Sequence, residues 1–179
     1  MVGRLSYQKG VELLAEAIEA LHKEAMQIFI VGLGEEKYHG LLSGLEKKYP
    51  QILKVKFVFD ESLAHQVYAA SDFFLMPSKY EPCGLSQLIS LKYGSLPIVY
   101  KTGGLNDTVS DVADGGNGFV FDRYQSDRFV MKIREALTFY KDKKEMNAIR
   151  KRVMKEDFSW NRAAQKYMKL YAGLLNAKK

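Results

Sequence analysis

The fold is decided by residues 73–100, which read FFLMPSKYEPCGLSQLISLKYGSLPIVY. Continuous apolar runs at residues 73–76 and 96–100 predict two short, buried β-strands. Between them, residues 86–93 carry apolar side chains at helical spacing and stop at Gly94, a residue type that often follows the last turn of a helix. Two buried strands joined by a helix predict a parallel pair with a right-handed crossover.

The same alternation of strands and helices continues on the N-terminal side. Amphipathic helices are predicted at residues 11–24, 35–49 and 62–70, and short strands at residues 27–31 and 55–59. Short apolar strands between amphipathic helices are typical of a parallel sheet that is covered on both faces. The predicted fold class is therefore α/β, a Rossmann-like doubly wound parallel sheet.

The two ends of the chain depart from this alternation. Residues 1–5 resemble the end of a strand whose beginning is missing, so we expect a fragment of a longer polypeptide. Beyond residue 101 the pattern predicts a glycine-rich turn and then a strand and three helices, at residues 119–121, 127–140, 143–155 and 161–174. We predict one domain over residues 1–179 and interpret Trp160 as a packing anchor at the start of the last helix.

Composition excludes several classes of protein. The chain has 179 residues, of which 47% are apolar and 12% aromatic, so it can bury a core and is not intrinsically disordered. No apolar run approaches the roughly 18 residues that a membrane-spanning helix needs. The single cysteine, Cys83, excludes a disulfide framework and fits a reducing compartment. The three histidines have no cysteine partners at ligand spacing, so a structural zinc site is not expected.

The net charge of +6 is unevenly distributed, since residues 131–179 hold 14 basic and 5 acidic side chains. Solvated faces of the C-terminal helices are the simpler interpretation of this excess. The alternative is a non-catalytic polyanion-binding or interaction domain that uses these helices.

Three loops that follow predicted strands could hold a ligand. In the first loop (residues 3–10), Arg4 and Lys9 flank a turn that opens a helix. Cations and the free N–H groups of a helix N-terminus both attract anions, which suits a diphosphate. A turn with ordinary surface cations is the alternative interpretation.

The second loop (residues 77–87) contains Glu81, a carboxylate able to accept hydrogen bonds from hydroxyls, and Gly84, which permits close approach of a ligand to the backbone. An ordinary N-terminal turn of a helix explains the same residues. The third loop (residues 101–107) contains paired glycines, which indicate either close backbone approach or a plain turn.

Four motifs in this order carry a resemblance to a known family. They are Gly-Arg-Leu-x3-Lys-Gly, Pro-Ser-x-Tyr-Glu-Pro-Cys-Gly-Leu-x-Gln, Thr-Gly-Gly-Leu-x-Asp-Thr-Val and Asp-Phe-Ser-Trp, which begin at residues 3, 77, 102 and 157. Together they resemble the C-terminal domain of bacterial glycogen synthases and plant starch synthases, glycosyltransferase family five. Ile89 stands where many relatives in the broader superfamily carry a second glutamate, which favours the synthase branch.

The resemblance implies a GT-B architecture of two Rossmann-like domains. The chain would be the C-terminal half, which binds the nucleotide sugar, and the helix at residues 157–175 would pack against an absent N-terminal acceptor domain. The implied reaction moves glucose from ADP-glucose or UDP-glucose to the non-reducing end of an α-1,4-glucan, with retention of configuration and without a metal or other cofactor. The glucan would be held through the missing domain, so the fragment alone is expected to be inactive.

The same resemblance implies the binding partners and the location of the protein. Its partners would be ADP or ADP-glucose and an α-1,4-glucan, with no nucleic acid and no membrane. Its location would be a bacterial cytoplasm or a plastid stroma. Another retaining GT-B sugar-nucleotide transferase with a different acceptor is the alternative assignment.

Three residues carry the chemistry that the resemblance implies. Arg4 and Lys9 would neutralise the diphosphate and stabilise the departing ADP, which is electrostatic stabilisation of developing leaving-group charge. Glu81 would sit beside the glucosyl ring and hold its hydroxyls.

Five further residues would bind the donor. Phe59 falls where the family usually has an aromatic ring that stacks on the base. Backbone N–H groups around sugar hydroxyls and phosphates would come from Cys83, Gly84, Leu85 and Ser86.

Overall fold

Parallel strands form two hydrogen-bonded sheets in the computed structural model, which describes residues 1–176. The first sheet pairs β1 (Ile28–Val31) with β2 (Leu53–Lys56). The second has the order β3 (Phe73–Met76), β4 (Leu96–Tyr100) and β5 (Phe119–Phe121). Every pairing between these strands is parallel, as the strand–helix–strand pattern predicts.

The first five residues run beside β1 and extend its sheet. The N–H of Gly3 donates to the carbonyl of Val31 at 3.0 Å, and the N–H of Leu5 donates to that of Leu33 at 2.8 Å. These contacts form isolated parallel bridges rather than a full strand. They bring the first loop to the same end of the sheet as the end of β1.

Eight helices and two short 3₁₀ turns connect the strands within residues 1–176. The helices are α1 (Val11–Leu21), α2 (Glu36–Lys48), α3 (Glu61–Ala70), α4 (Ser86–Lys92), α5 (Gly103–Thr108), α6 (Ser126–Phe139), α7 (Lys143–Val153) and α8 (Trp160–Asn176). The 3₁₀ turns are Tyr7–Lys9 and Val112–Asp114.

Alternate side chains of the strands face opposite sides of the sheet, and both sides are covered. In β3, Phe74 and Met76 pack in a small cluster with Tyr68 of α3, whereas Phe73 and Leu75 pack against the larger core. That larger core also contains side chains from α1, α2 and α6. A sheet that is buried on both faces explains the continuously apolar strands, and it confirms the predicted α/β class.

Several predicted bounds differ from the structure: helix α1 ends at Leu21 rather than at residue 24, and β2 begins at Leu53 rather than at residue 55. β2 ends at Lys56 instead of continuing to residue 59, because its partner β1 ends at Val31 and offers no further ladder bonds. The glycine pair of the third loop begins the short helix α5, which the sequence did not predict.

Helix α8 exposes most of its described side chains to solvent. Trp160, at its start, is 87% exposed, so its interpretation as a packing anchor is wrong for this structure. No helix within residues 1–176 combines the length and apolarity that crossing a membrane requires.

Asp111 joins the end of the sheet to α6, and its charge is expected to stabilise the fold. Its carboxylate accepts from the N–H of Ala113 at 3.0 Å, from the N–H of Val120 at 2.8 Å and from the Lys132 ammonium at 3.0 Å. Burial alone would raise the pKa of Asp111, but these partners together lower the pKa below its ordinary value of 3.8.

Because the folded pKa is lowered, this stabilisation is present above pH 3.8 and is lost as the pH falls through the folded pKa. We expect Asp111→Asn to lower the free energy of unfolding by about 1–3 kcal/mol at pH 7, the scale of hydrogen bonds to a charged group. Urea unfolding between pH 7 and pH 2 measures this difference, which should shrink at the acidic end. Asp114→Asn, on the exposed side of the same turn, is the matched control.

Candidate functional site

The first and second loops meet at the carboxyl ends of the strands. The N–H of Lys79 donates to the carbonyl of Gln8 at 2.9 Å, and the side-chain amide of Gln8 donates to the carbonyl of Tyr80 at 3.0 Å. These two bonds join segments that are about 70 residues apart in sequence. The carboxyl edge of an open α/β sheet is where such proteins bind ligands.

An ion pair lies at the centre of this junction. The Lys9 ammonium donates to Oε2 of Glu81, and the Ser78 hydroxyl donates to the same oxygen at 3.3 Å. The Glu81 side chain is only 9% exposed and that of Lys9 25%, so the carboxylate is held in a largely dehydrated place by one cation. Oε1 of Glu81 has no hydrogen-bond partner within residues 1–176, so it can accept from a ligand hydroxyl.

Gly10 makes the contact between the two loops possible. Its φ of +73° is left-handed, and a Cβ at this position would lie 2.0 Å from the carbonyl oxygen of Pro77. Helix α1 begins at the next residue, Val11, so its amino end directly follows the turn that contains Lys9. The positive end of that helix dipole favours an anion at this place.

The third loop packs against the backbone of the second loop. The N–H of Gly104 donates to the carbonyl of Glu81 at 2.9 Å. A Cβ on Gly103 would lie 2.2 Å from that carbonyl oxygen, and one on Gly104 would lie 2.4 Å from the carbonyl oxygen of Cys83. The paired glycines therefore permit close approach of the protein's own backbone, which the sequence could not distinguish from a plain turn.

The remaining predicted site residues are on the surface around this junction. Cys83 and Leu85 are exposed, Gly84 has a left-handed φ of +75°, and Ser86 is the first residue of α4. Their position on one loop agrees with the prediction, and their roles toward a ligand stay predictions.

Arg4 and Phe59 are not in contact with the Lys9–Glu81 pair. Arg4 is exposed and makes no ion pair or hydrogen bond with the described part of the chain. Phe59 is 92% exposed in the segment after β2, again at a carboxyl end, with its ring open to solvent. Both side chains are therefore accessible to a ligand.

A cavity also lies away from these loops, at the amino ends of the strands. It has a volume of about 1060 Å³ and is lined by the starts of β1, β2 and β3. We place the site at the loops instead, because convergent polar groups and the carboxyl ends of parallel strands coincide there. A smaller cavity of about 300 Å³ adjoins the first loop between Tyr7 and Tyr124. Burial, with the charges of Glu12 and Glu16, raises the pKa of Tyr124 to about 12.

Sequence reasoning missed three residues that organise the site. Ser78 and Gln87 lie inside the second-loop motif and are completely buried, and Thr108 lies at the end of α5. The sequence did offer a signal for them, because these polar residues flank a charged loop within an otherwise apolar segment. Within residues 1–176, no cluster of three or more His, Cys, Asp or Glu side chains is arranged to hold a metal ion.

Residues 1–153 match the family described as glycosyl transferases group 1. The chain is 45% identical over 179 residues to a glycogen synthase of Clostridium novyi (strain NT), and 46% identical over 178 residues to one of Bacillus cereus (strain Q1). Each alignment covers 98% of this chain but 37% of the relative. The chain thus spans little more than a third of the length of these curated relatives.

Solved structures show the same likeness. The catalytic domain of starch synthase IV from Arabidopsis thaliana, bound to ADP and acarbose, matches with a TM-score of 0.85 and 38% identity. That match covers 96% of this chain and 37% of the other. Sucrose-phosphate synthase from Thermosynechococcus elongatus matches with a TM-score of 0.72 at 21% identity, over 98% of this chain and 45% of the other, and shows a shared fold. The resemblance to glycogen and starch synthases is confirmed.

Proposed function

The chain belongs to the group 1 glycosyl transferases, and from this membership we propose that it is the donor-nucleotide-binding domain of a retaining glucosyltransferase. The proposed reaction moves glucose from ADP-glucose, or from UDP-glucose, to the non-reducing end of an α-1,4-glucan. The identity to glycogen synthases supports the glucan acceptor, and the ADP bound to the starch synthase IV neighbour supports the nucleotide.

The observation that carries this proposal is the Lys9–Glu81 pair at the start of α1. Transfer of a sugar from a nucleoside diphosphate needs positive charge beside the leaving diphosphate and an acceptor for the sugar hydroxyls. Lys9 and the first amides of α1 supply the charge, and Oε1 of Glu81 supplies the acceptor. Because both groups meet at one point, a donor held there would have its diphosphate and its sugar on adjacent partners.

The other predicted residues complete the proposed donor site. Arg4 would close over the diphosphate from its exposed position, since a guanidinium can hold two phosphate oxygens at once. Phe59 would stack on the base. Residues 83–86 would contact sugar hydroxyls and phosphates through their backbone N–H groups.

The polyanion-binding alternative has less support, because part of the basic charge of α7 is used inside the fold. Arg150 pairs with Asp72, and Arg152 donates to the carbonyl of Gly116.

For the location of the protein, the single cysteine fits a reducing compartment, and we propose a bacterial cytoplasm or a plastid stroma.

Calorimetric titration of the chain with ADP, and separately with UDP, tests the donor site. We expect saturable one-to-one binding with ADP preferred, and Phe59→Ala should weaken it by about 0.5–1.5 kcal/mol because the stacking surface is lost. Trp160→Ala removes an equally exposed aromatic ring outside the site and should leave the affinity unchanged. A preference for UDP would keep the fold and change the donor, whereas absence of binding to either nucleotide would contradict the proposal.

Glucan elongation by these 179 residues alone is not expected, because the resemblance assigns the acceptor contacts to a second domain. Incubation with ADP-glucose and a malto-oligosaccharide primer tests this expectation. Detectable lengthening of the primer would show that the acceptor site lies within the chain.

A further inference from the structure

Gln87 is a completely buried polar residue in the first turn of α4. Its side-chain amide nitrogen donates to the carbonyl of Cys83 at 3.1 Å and to that of Gly84 at 2.9 Å. The hydroxyl of Thr108 lies 3.2 Å from the same nitrogen. A single side chain thus holds two successive carbonyl groups of the second loop and contacts α5.

The orientation of this amide is determined by its neighbours. If the amide were reversed, Oε1 of Gln87 would face the two carbonyl oxygens and repel them. The Thr108 hydroxyl could not compensate, because it donates to the carbonyl of Gly104 at 2.7 Å. The nitrogen of Gln87 must therefore point toward the loop.

Holding two carbonyls inward has a direct consequence for the next two N–H groups. In a trans peptide, the C=O of one residue and the N–H of the next point in opposite directions. Inward carbonyls at Cys83 and Gly84 therefore turn the N–H groups of Gly84 and Leu85 outward. Neither N–H donates a hydrogen bond to any group within residues 1–176, so both are free to donate to a ligand.

The oxygen of the same amide contributes no hydrogen bond to the described part of the fold. Oε1 of Gln87 is buried and has no hydrogen-bond partner in the described part of the chain. An unpaired buried oxygen costs free energy, which offsets part of the stability that the hydrogen bonds of the amide nitrogen contribute. The same oxygen lies 2.4 Å from where a Cβ on Gly84 would be, so glycine is needed there for the amide to fit.

We propose that Gln87 is a positioning residue, whose amide holds the second loop so that the N–H groups of Gly84 and Leu85 face the phosphate or sugar oxygens of the donor. The identity of this ligand rests on the proposed function. We call the Gln87 amide and the two carbonyl groups that it holds the clamp. The contact with Thr108 connects the clamp to α5, whose Gly104 packs on the backbone of the same loop. The second loop is thus held from two sides, by the Gln87 amide and by the glycine pair.

Gln87→Met tests the clamp, since it keeps the length and most of the volume of the side chain and removes the amide. We expect the ¹⁵N order parameters of Gly84 and Leu85 to fall from about 0.85 toward 0.6 or below. We also expect the dissociation constant for ADP-glucose to rise by about 10-fold or more, and the thermal midpoint to fall because two carbonyl groups lose their donor. Gln66→Met, on the exposed surface of α3, is the matched control and should change none of these.

The order parameters do not need a ligand, so they separate this inference from the proposed function. If the wild-type chain fails to bind ADP-glucose, the proposed function falls and the loop dynamics still decide the clamp. A lower thermal midpoint with unchanged order parameters would make Gln87 a purely structural residue and overturn the inference. Thr108→Val removes the third partner of the amide together with the hydrogen bond from Thr108 to Gly104, so the order parameters of the loop should fall by less. This variant provides the test if Gln87→Met does not fold.

Discussion

Lys9→Met is expected to weaken ADP binding by about 1.5–3 kcal/mol, which is about 10- to 150-fold. The ammonium pairs with the Glu81 carboxylate, and Lys9 lies two residues before the start of α1. Its removal takes away a charge-assisted hydrogen bond to the diphosphate and leaves a buried carboxylate without its cation. Calorimetry at low and moderate salt measures the loss, and Lys47→Met is a control with the same change of charge at the far end of α2.

Removal of Lys9 is also expected to destabilise the fold, and a second variant separates the two effects. Lys9→Met combined with Glu81→Gln removes the uncompensated negative charge, so the free energy of unfolding should recover while the ADP affinity should not. Arg4→Ala should lower ADP affinity by roughly 1–3 kcal/mol without any change in stability, because Arg4 has no partner within residues 1–176. Unchanged affinity in both Arg4→Ala and Lys9→Met would reject the first loop as the diphosphate site.

Gly104→Ala is expected to lower the free energy of unfolding by about 1–3 kcal/mol, the range of overpacking in a close contact. The added methyl would lie 2.4 Å from the carbonyl oxygen and 2.5 Å from the Cα of Cys83, both of them backbone atoms that cannot rotate away. Since Gly104 has no left-handed φ, the effect would come from the lack of space alone. The second loop should move as a result, so the affinity for ADP-glucose should fall as well.

Gly44→Ala provides a control for which the expected change in the free energy of unfolding has the opposite sign. Gly44 lies within α2, and no atom lies within 4 Å of the position of its Cβ. Alanine there should stabilise the chain by about 0.5–1 kcal/mol through its higher helix propensity. Urea unfolding of the two variants beside the wild type gives both values. Equal midpoints for Gly104→Ala and the wild type would mean that α5 does not support the second loop.

Local pattern was sufficient for the elements whose burial is complete. The strands at residues 73–76 and 96–100 were predicted with the bounds that the structure shows, because a strand covered on both faces is continuously apolar in sequence. The helix starting at Ser86 was likewise predicted, and its predicted end lies one residue past Lys92. Motif order in the same segments was enough to indicate the family.

Local pattern failed where an element depends on its neighbour. The length of β2 is set by where β1 ends, and alternation in its own residues cannot show that limit. The glycine pair at Gly103 begins a helix because α5 packs on the second loop, a contact between segments about 20 residues apart. Trp160 has the size of a packing residue, but no described part of the chain covers it.

For the site, the residue types could be read from the sequence, a lysine before one helix and a glutamate before another, and the resemblance assigned them roles. The ion pair between Lys9 and Glu81, 72 residues apart, is visible in the folded chain alone, as is the support of the surrounding loop by the buried Ser78 and Gln87. The physical reason is that short-range pattern records which face of a strand or helix is buried. Contacts between loops arise from the parallel order of the strands, which brings their carboxyl ends together.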